Sequence, residues 1–141
     1  MPTIYELKEL ANIRLEEVKS LFASELYDGA WYLTGYVVEM ALKACICRTL
    51  DLDEYPEEGE LSRSFKTHRL DILLTLSGLG RKLSQDANNN LRLLENWSGI
   101  TEWNESIRYS PVGTIQKEQV EKIISSLEDE DGVFTWIKKH W

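Results

Sequence analysis

Long apolar runs free of charge are missing from this chain, and so are basic tracts, proline-rich segments and cysteine pairs at bridging spacing. The most apolar stretch, Ala30 to Leu50, still carries Glu39, Lys43 and Arg48. A charge near mid-bilayer costs about 2.5 kcal/mol or more, so this segment reads as a core helix and not a membrane span. The first residues, Met1 to Glu6, lack the basic and apolar regions of a secretory signal. Cys45 and Cys47 lie two residues apart, about 200° around a helix, and can neither join nor share a metal. They read as reduced, buried thiols of a cytoplasmic protein.

Basic residues are in short supply as well. Sixteen lysines and arginines face twenty-four carboxylates, for a net charge of −8. Bulk electrostatics therefore exclude a nucleic-acid coat, and any nucleic-acid role needs a local basic site. No glycine-rich phosphate loop and no Cys/His cluster of zinc spacing occurs, so neither a metal nor a cofactor is expected. Only two histidines exist, His68 and His140. His140, beside Lys138 and Lys139, reads as a frayed, solvent-facing end.

What is present is helical. Three prolines and eight glycines in 141 residues leave room for long uninterrupted elements. Thr3 and Glu6 form a capping box, followed by Leu7, Ala11, Leu15, Val18 and Phe22 at helical spacing. This predicts a first helix from about Ile4 to Ser24. Asp28 can cap a second, running to about Leu50. Its apolar residues lie on more than one face, which marks it as central and makes it hard for a small bundle to cover. An apolar two-fold dimer is the expected remedy.

Asp51 to Glu60 holds six acids, Pro56 and Gly59 and reads as a loop. Thr67 or Ser64 can cap a third helix through Leu70 to Leu76, ended by Gly78 and Gly80. A fourth follows from about Arg81, weakened locally by Asn88, Asn89 and Asn90. Trp97 to Gly113 reads as irregular. Thr114 is then expected to cap a last helix that bears Val120, Ile124, Leu127, Phe134 and Trp141. One helix across Gly132 is plausible on phase, and a break there is the alternative. The expectation is all-α: one domain over residues 1–141, an antiparallel bundle of four to five helices.

On the second helix, Glu39 and Lys43 stand at i and i+4 in the favoured order. On so apolar a helix they read first as a partly buried structural pair. Tyr32 and Tyr36 read as core or interface aromatics first and base-stacking surfaces second. Arg63, Lys66, His68 and Arg69 form a basic cluster next to the acidic loop.

The segment from Leu26 to Ala44 resembles the signature helix of HEPN domains. It has the Tyr27-Asp28 start, small and aromatic residues, then Glu39 followed by Lys43-Ala44. Thr67-His68 before the third helix, and Trp103 followed by Arg108-Tyr109 before the last, are similar to the same family. The resemblance spans most of the chain. It implies a helical bundle acting as a homodimer in a nucleotide- or RNA-linked role, commonly in toxin–antitoxin or antiviral defence systems. A small nucleotidyltransferase is a frequent companion. By the same resemblance, Lys66, Arg69, Arg108 and Tyr109 are candidates for nucleotide or RNA contact.

The HEPN nucleases are metal-independent and use an Arg, then four to six intervening residues, then a His. Arg63 and His68 fit that spacing, with His68 as base and Arg63 on the phosphate as the implied catalytic roles. Ser64 departs from the more typical Asn, Asp or His after the Arg, and the match lies earlier in the chain than usual. His68 as a helix-terminal structural residue is the competing reading. A binding or regulatory subunit without catalysis, a ribonuclease, and a plain helical interaction module therefore all stand at this point.

Overall fold

The computed structural model describes residues 1–60 and 62–141. It is helical throughout, with only an isolated β-bridge between Thr3 and Glu54 among the described residues. Two long helices, α1 (Ile4–Ala23) and α2 (Tyr27–Thr49), form the scaffold. Shorter elements follow: α3 (Ser62–Phe65), α4 (Leu70–Leu76), α5 (Gly80–Asn88), α6 (Leu91–Ile100), a 3-10 helix (Glu105–Tyr109), α7 (Lys117–Glu128) and α8 (Val133–Lys138). The two halves of the Thr3–Glu6 capping box close at 2.7 and 3.2 Å and start α1.

The centre is α2, against which α1, α4, α7, α8 and the 3-10 helix all pack. Thirteen of its twenty-three residues are buried, so this protomer covers its own central helix. That removes the apolar-face argument for a dimer. No described helix is long and apolar enough to cross a membrane.

Several expected boundaries move, each for a tertiary reason. Asp28 does not cap α2; it sits in the first turn, and its carboxylate accepts from the Gly113 and Ile115 N–H groups at 2.7 and 2.9 Å. Neither Ser64 nor Thr67 caps α4: Ser64 lies within α3, and Thr67 Oγ1 accepts from the Arg69 N–H just before α4. The expected fourth helix is two, because Asn90 caps α6 by accepting from Leu93 N–H and also donates to Asp131 at 2.7 Å. Helix α6 runs on to Ile100, and the 3-10 turn occupies part of the stretch read as irregular. Gln116 caps α7 with Gln119 in place of Thr114. The last helix breaks between Glu128 and Val133. There a Cβ on Gly132 would come within 2.4 Å of the Leu127 carbonyl oxygen.

The end of the chain is not frayed. Arg48 Nη1 donates to the His140 carbonyl at 2.5 Å, and the imidazole lies 4.5 Å from the Trp136 ring. Burial pulls the His140 pKa below its ordinary value. Trp136 Nε1 in turn donates to Asp86 at 2.8 Å, tying α8 to α5.

Both cysteines are free and buried on α2. Burial pushes the Cys45 thiol up to about 12, so almost no thiolate exists at neutral pH. Alkylation of the native protein at pH 7.5 is therefore expected to be at least about a hundredfold slower than in denaturant. Equal rates in a thiol-release assay would show that this part of the core opens readily.

Candidate functional site

A row of polar side chains runs down one side of α2, where an apolar helix would tolerate them only if each is partnered. Asp28, Tyr32, Tyr36, Glu39 and Lys43 follow at intervals of three and four, which stacks them on neighbouring turns. Glu39 is 1% exposed, and its two carboxylate oxygens are engaged separately. One meets Lys43 Nζ at 3.3 Å and the other His68 Nδ1 at 2.7 Å. Lys43 also lies over the Tyr55 ring at 4.9 Å.

Above Glu39 the row turns aromatic. Tyr36 presents its ring edge-on to His68 at 6.0 Å and to Trp103 at 5.2 Å. Its hydroxyl shares a hydrogen bond of 3.0 Å with Tyr32. Burial first, and then that bond, push the Tyr36 phenol well above its ordinary pKa. Trp103 Nε1 donates to the Tyr32 carbonyl at 2.9 Å. Trp103 fits there because residue 35 is glycine: a Cβ on it would fall 1.9 Å from the indole.

The row ends at the loop that Asp28 clamps. Arg108 lies 4.7 Å from the Tyr109 ring centre, and hydrogen bonding to Tyr109 and then to Tyr32 raises the guanidinium pKa. Tyr109 is 78% exposed. Two depressions flank the row. One, of about 500 Å³, is lined by His68, Arg69, Asp71, Glu102, Trp103 and Glu105. The other, of about 240 Å³, lies beside Arg108 and is lined in part by Asp28, Tyr32, Ile107 and Val112.

The structure thus gathers some of the sequence-derived candidates and separates others. The His68 side chain is 46% exposed and opens on the larger cleft. In the tautomer whose Nδ1–H donates to Glu39, Nε2 is left as an acceptor. Arg63 and Lys66, on and just after α3, are exposed but do not line that cleft. Arg69 does line it, yet its guanidinium is held by Asp71 at 2.8 Å. That hydrogen bond keeps the Asp71 carboxyl below the ordinary carboxylate range. Arg108 and Tyr109 stand together on the other side of the tyrosine pair.

Chemically, the carboxylate–histidine pair suits a hydrogen-bond acceptor or a base. Cleavage of RNA also needs a free cation to hold phosphorane charge. Arg69, the cleft's arginine, is already paired, and Glu102 and Glu105 oppose a polyanion there. Among the described residues no group of three or more His, Cys, Asp or Glu side chains gathers to hold a metal.

Sequence reasoning missed Glu39 as the partner of His68. The two are 29 residues apart, and no local spacing announces the contact. It also missed Glu102 and Glu105, which carry no motif, and the Asp28 clamp. The Tyr32, Tyr36, Glu39 periodicity was the one signal from which a polar face on α2 could have been read.

No curated protein and no solved structure matches this chain. The family model for the HEPN domain does match, over residues 4–139, which is nearly its whole length. Together with the all-helical bundle built around the Tyr27–Thr49 helix, that match places the chain in the HEPN domain family.

Proposed function

We propose that this chain is a nucleotide- or RNA-associated binding and regulatory subunit. In this reading it is cytoplasmic, acts as a homodimer in a toxin–antitoxin or defence system beside a small nucleotidyltransferase-like partner, and has no catalysis of its own. The observation that carries the reading is the Arg108–Tyr109 pair. The exposed Tyr109 ring, with the Arg108 guanidinium over one face at 4.7 Å, offers its opposite face to one base and sets a charge nearby for the phosphate. The neighbouring depression beside Tyr32 gives the ligand a wall. Family membership supports a nucleic-acid connection. The acid-lined cleft at His68, with its arginine already paired, argues against cleavage there.

Titration of the parent with mononucleotides and short single-stranded RNA tests this by fluorescence anisotropy. Tyr109→Ala is expected to weaken binding by roughly 5- to 150-fold, the span of 1–3 kcal/mol per stacked base, while leaving the melting temperature within a degree or so. Binding that is absent in the parent, or unchanged in the variant, would overturn the proposal. RNA cleavage in EDTA that disappears on His68→Ala would move the chain to the ribonuclease reading.

A further inference from the structure

We infer that the hollow between α2, α6 and α7 binds a small monocarboxylic acid with an apolar body, held by the Trp31 indole N–H and by Lys122. The hollow measures about 190 Å³. It shares no residue with the Arg108–Tyr109 pair or the depression beside it, so it stands apart from the nucleotide site proposed above.

Two costs that the protomer does not explain meet in its walls. The first is at Trp31. Among the described residues, its Nε1 is the only buried side-chain nitrogen or oxygen without a hydrogen-bond partner. An unpaired buried donor is costly, and native folds rarely keep one without use for it. Trp103 and Trp136 show the ordinary outcome, with Nε1 donating to the Tyr32 carbonyl and to Asp86.

The second cost is at Gly99, in the last turn of α6, where glycine weakens a helix relative to alanine. A Cβ on Gly35 would strike Trp103, but one on Gly99 would meet no atom within 4 Å. Its backbone is outside the left-handed range as well. Neither conformation nor packing asks for glycine at this position. What its absence of a side chain does is keep the hollow clear.

The remaining walls select the ligand. Lys122 is exposed, and among the described residues its ammonium makes no ion pair or hydrogen bond. Gln119 Oε1 accepts from the Gln116 N–H at 2.8 Å, which leaves the amide nitrogen free to donate. An indole N–H, an ammonium and an amide all donate, and a carboxylate accepts from each, with a charge-assisted bond to the lysine. Trp31 and Ile123 give its apolar body a surface. Glu102 borders the same hollow, so Lys122 balances one negative charge while a phosphate dianion is repelled. Pockets for drug-sized ligands run to about 300–1,000 Å³. This smaller volume limits the acid to a single ring or a short branched chain. Because Nε1 is shut from solvent, the carboxylate reaches it as a rim side chain swings aside, and Lys122 is long and unpaired.

Benzoate titrated into isotope-labelled protein tests this through the indole N–H signals of the five tryptophans. Trp31 is identified by the signal missing from Trp31→Phe. Benzoate is expected to shift that signal and to saturate with a dissociation constant of about 1 mM or lower. Lys122→Met should weaken binding about tenfold or more, as one charge-assisted hydrogen bond is lost. Gly99→Leu should abolish binding by filling the hollow, while melting at or above the parent because a helical glycine is removed. Benzamide, the neutral counterpart, and inorganic phosphate should each bind at least about tenfold more weakly than benzoate.

A Trp31 signal that stays in place at tens of millimolar benzoate would overturn the site. Parent-like affinity in Gly99→Leu or in Lys122→Met would do the same. Benzamide or phosphate binding as tightly as benzoate would overturn the assignment of a monocarboxylate.

Discussion

Gly35→Ala is expected to lower stability by about 3 kcal/mol, the upper end of the usual cost of overpacking. The added methyl would sit 1.9, 2.0 and 2.4 Å from three atoms of the Trp103 indole. The indole cannot slide away cheaply. It is 4% exposed, its Nε1 is bonded to the Tyr32 carbonyl, and Tyr36 packs edge-on against it. Trp103→Ala should cost about 3–5 kcal/mol through the cavity it leaves. The double variant should cost no more than Trp103→Ala alone, because the cavity then accommodates the methyl. Urea unfolding of the four proteins measures this cycle. Additive losses would mean that Gly35 and Trp103 do not touch.

Glu39→Ala should be comparably damaging, at about 3–5 kcal/mol, since it strands a charge that the fold has already buried. Lys43 is 6% exposed and has Glu39 as its only ion-pair partner among the described residues. Glu39→Met with Lys43→Met should recover most of the loss, because an apolar pair of similar volume needs no counter-charge. The double variant also separates folding from function: it keeps the bundle but releases His68 Nδ1 from its carboxylate. Histidine NMR signals should then show His68 sampling both tautomers, whereas in the parent one predominates. A Glu39→Ala protein as stable as the parent would show that Lys43 reaches water without help.

How far the sequence discloses this molecule depends on how local each cause is. The first helix is announced by Thr3 and Glu6, three residues apart, and the family by a contiguous run on α2. The breaks later in the chain are not announced. Asn90 looks like a weak point inside a helix, yet it starts one, and part of its hold comes from Asp131, 41 residues on. Asp28 carries the signature of a cap but spends its carboxylate on residues 113 and 115. The candidate site shows the same division. Arg63 and His68 match a linear pattern, while the partner that fixes His68 lies 29 residues upstream and only the fold brings it near. Arg108 and Tyr109 are adjacent in sequence, and adjacency was enough to find them.

The short final helix bears on how the molecule is made. Val133, Phe134, Trp136 and Ile137 are all buried, and α8 rests on α2, the element that organises everything else. On the ribosome, α1 and α2 emerge early and can pair as a hairpin, but the face of α2 that receives α8 stays bare until residue 137 has cleared the exit tunnel. The nascent chain must therefore carry an uncovered apolar stripe while the residues between α2 and α8 are made, a natural resting place for a chaperone. Residues 133–140 then close against α2, fastened by Arg48 at the His140 carbonyl and by Asp86 at Trp136.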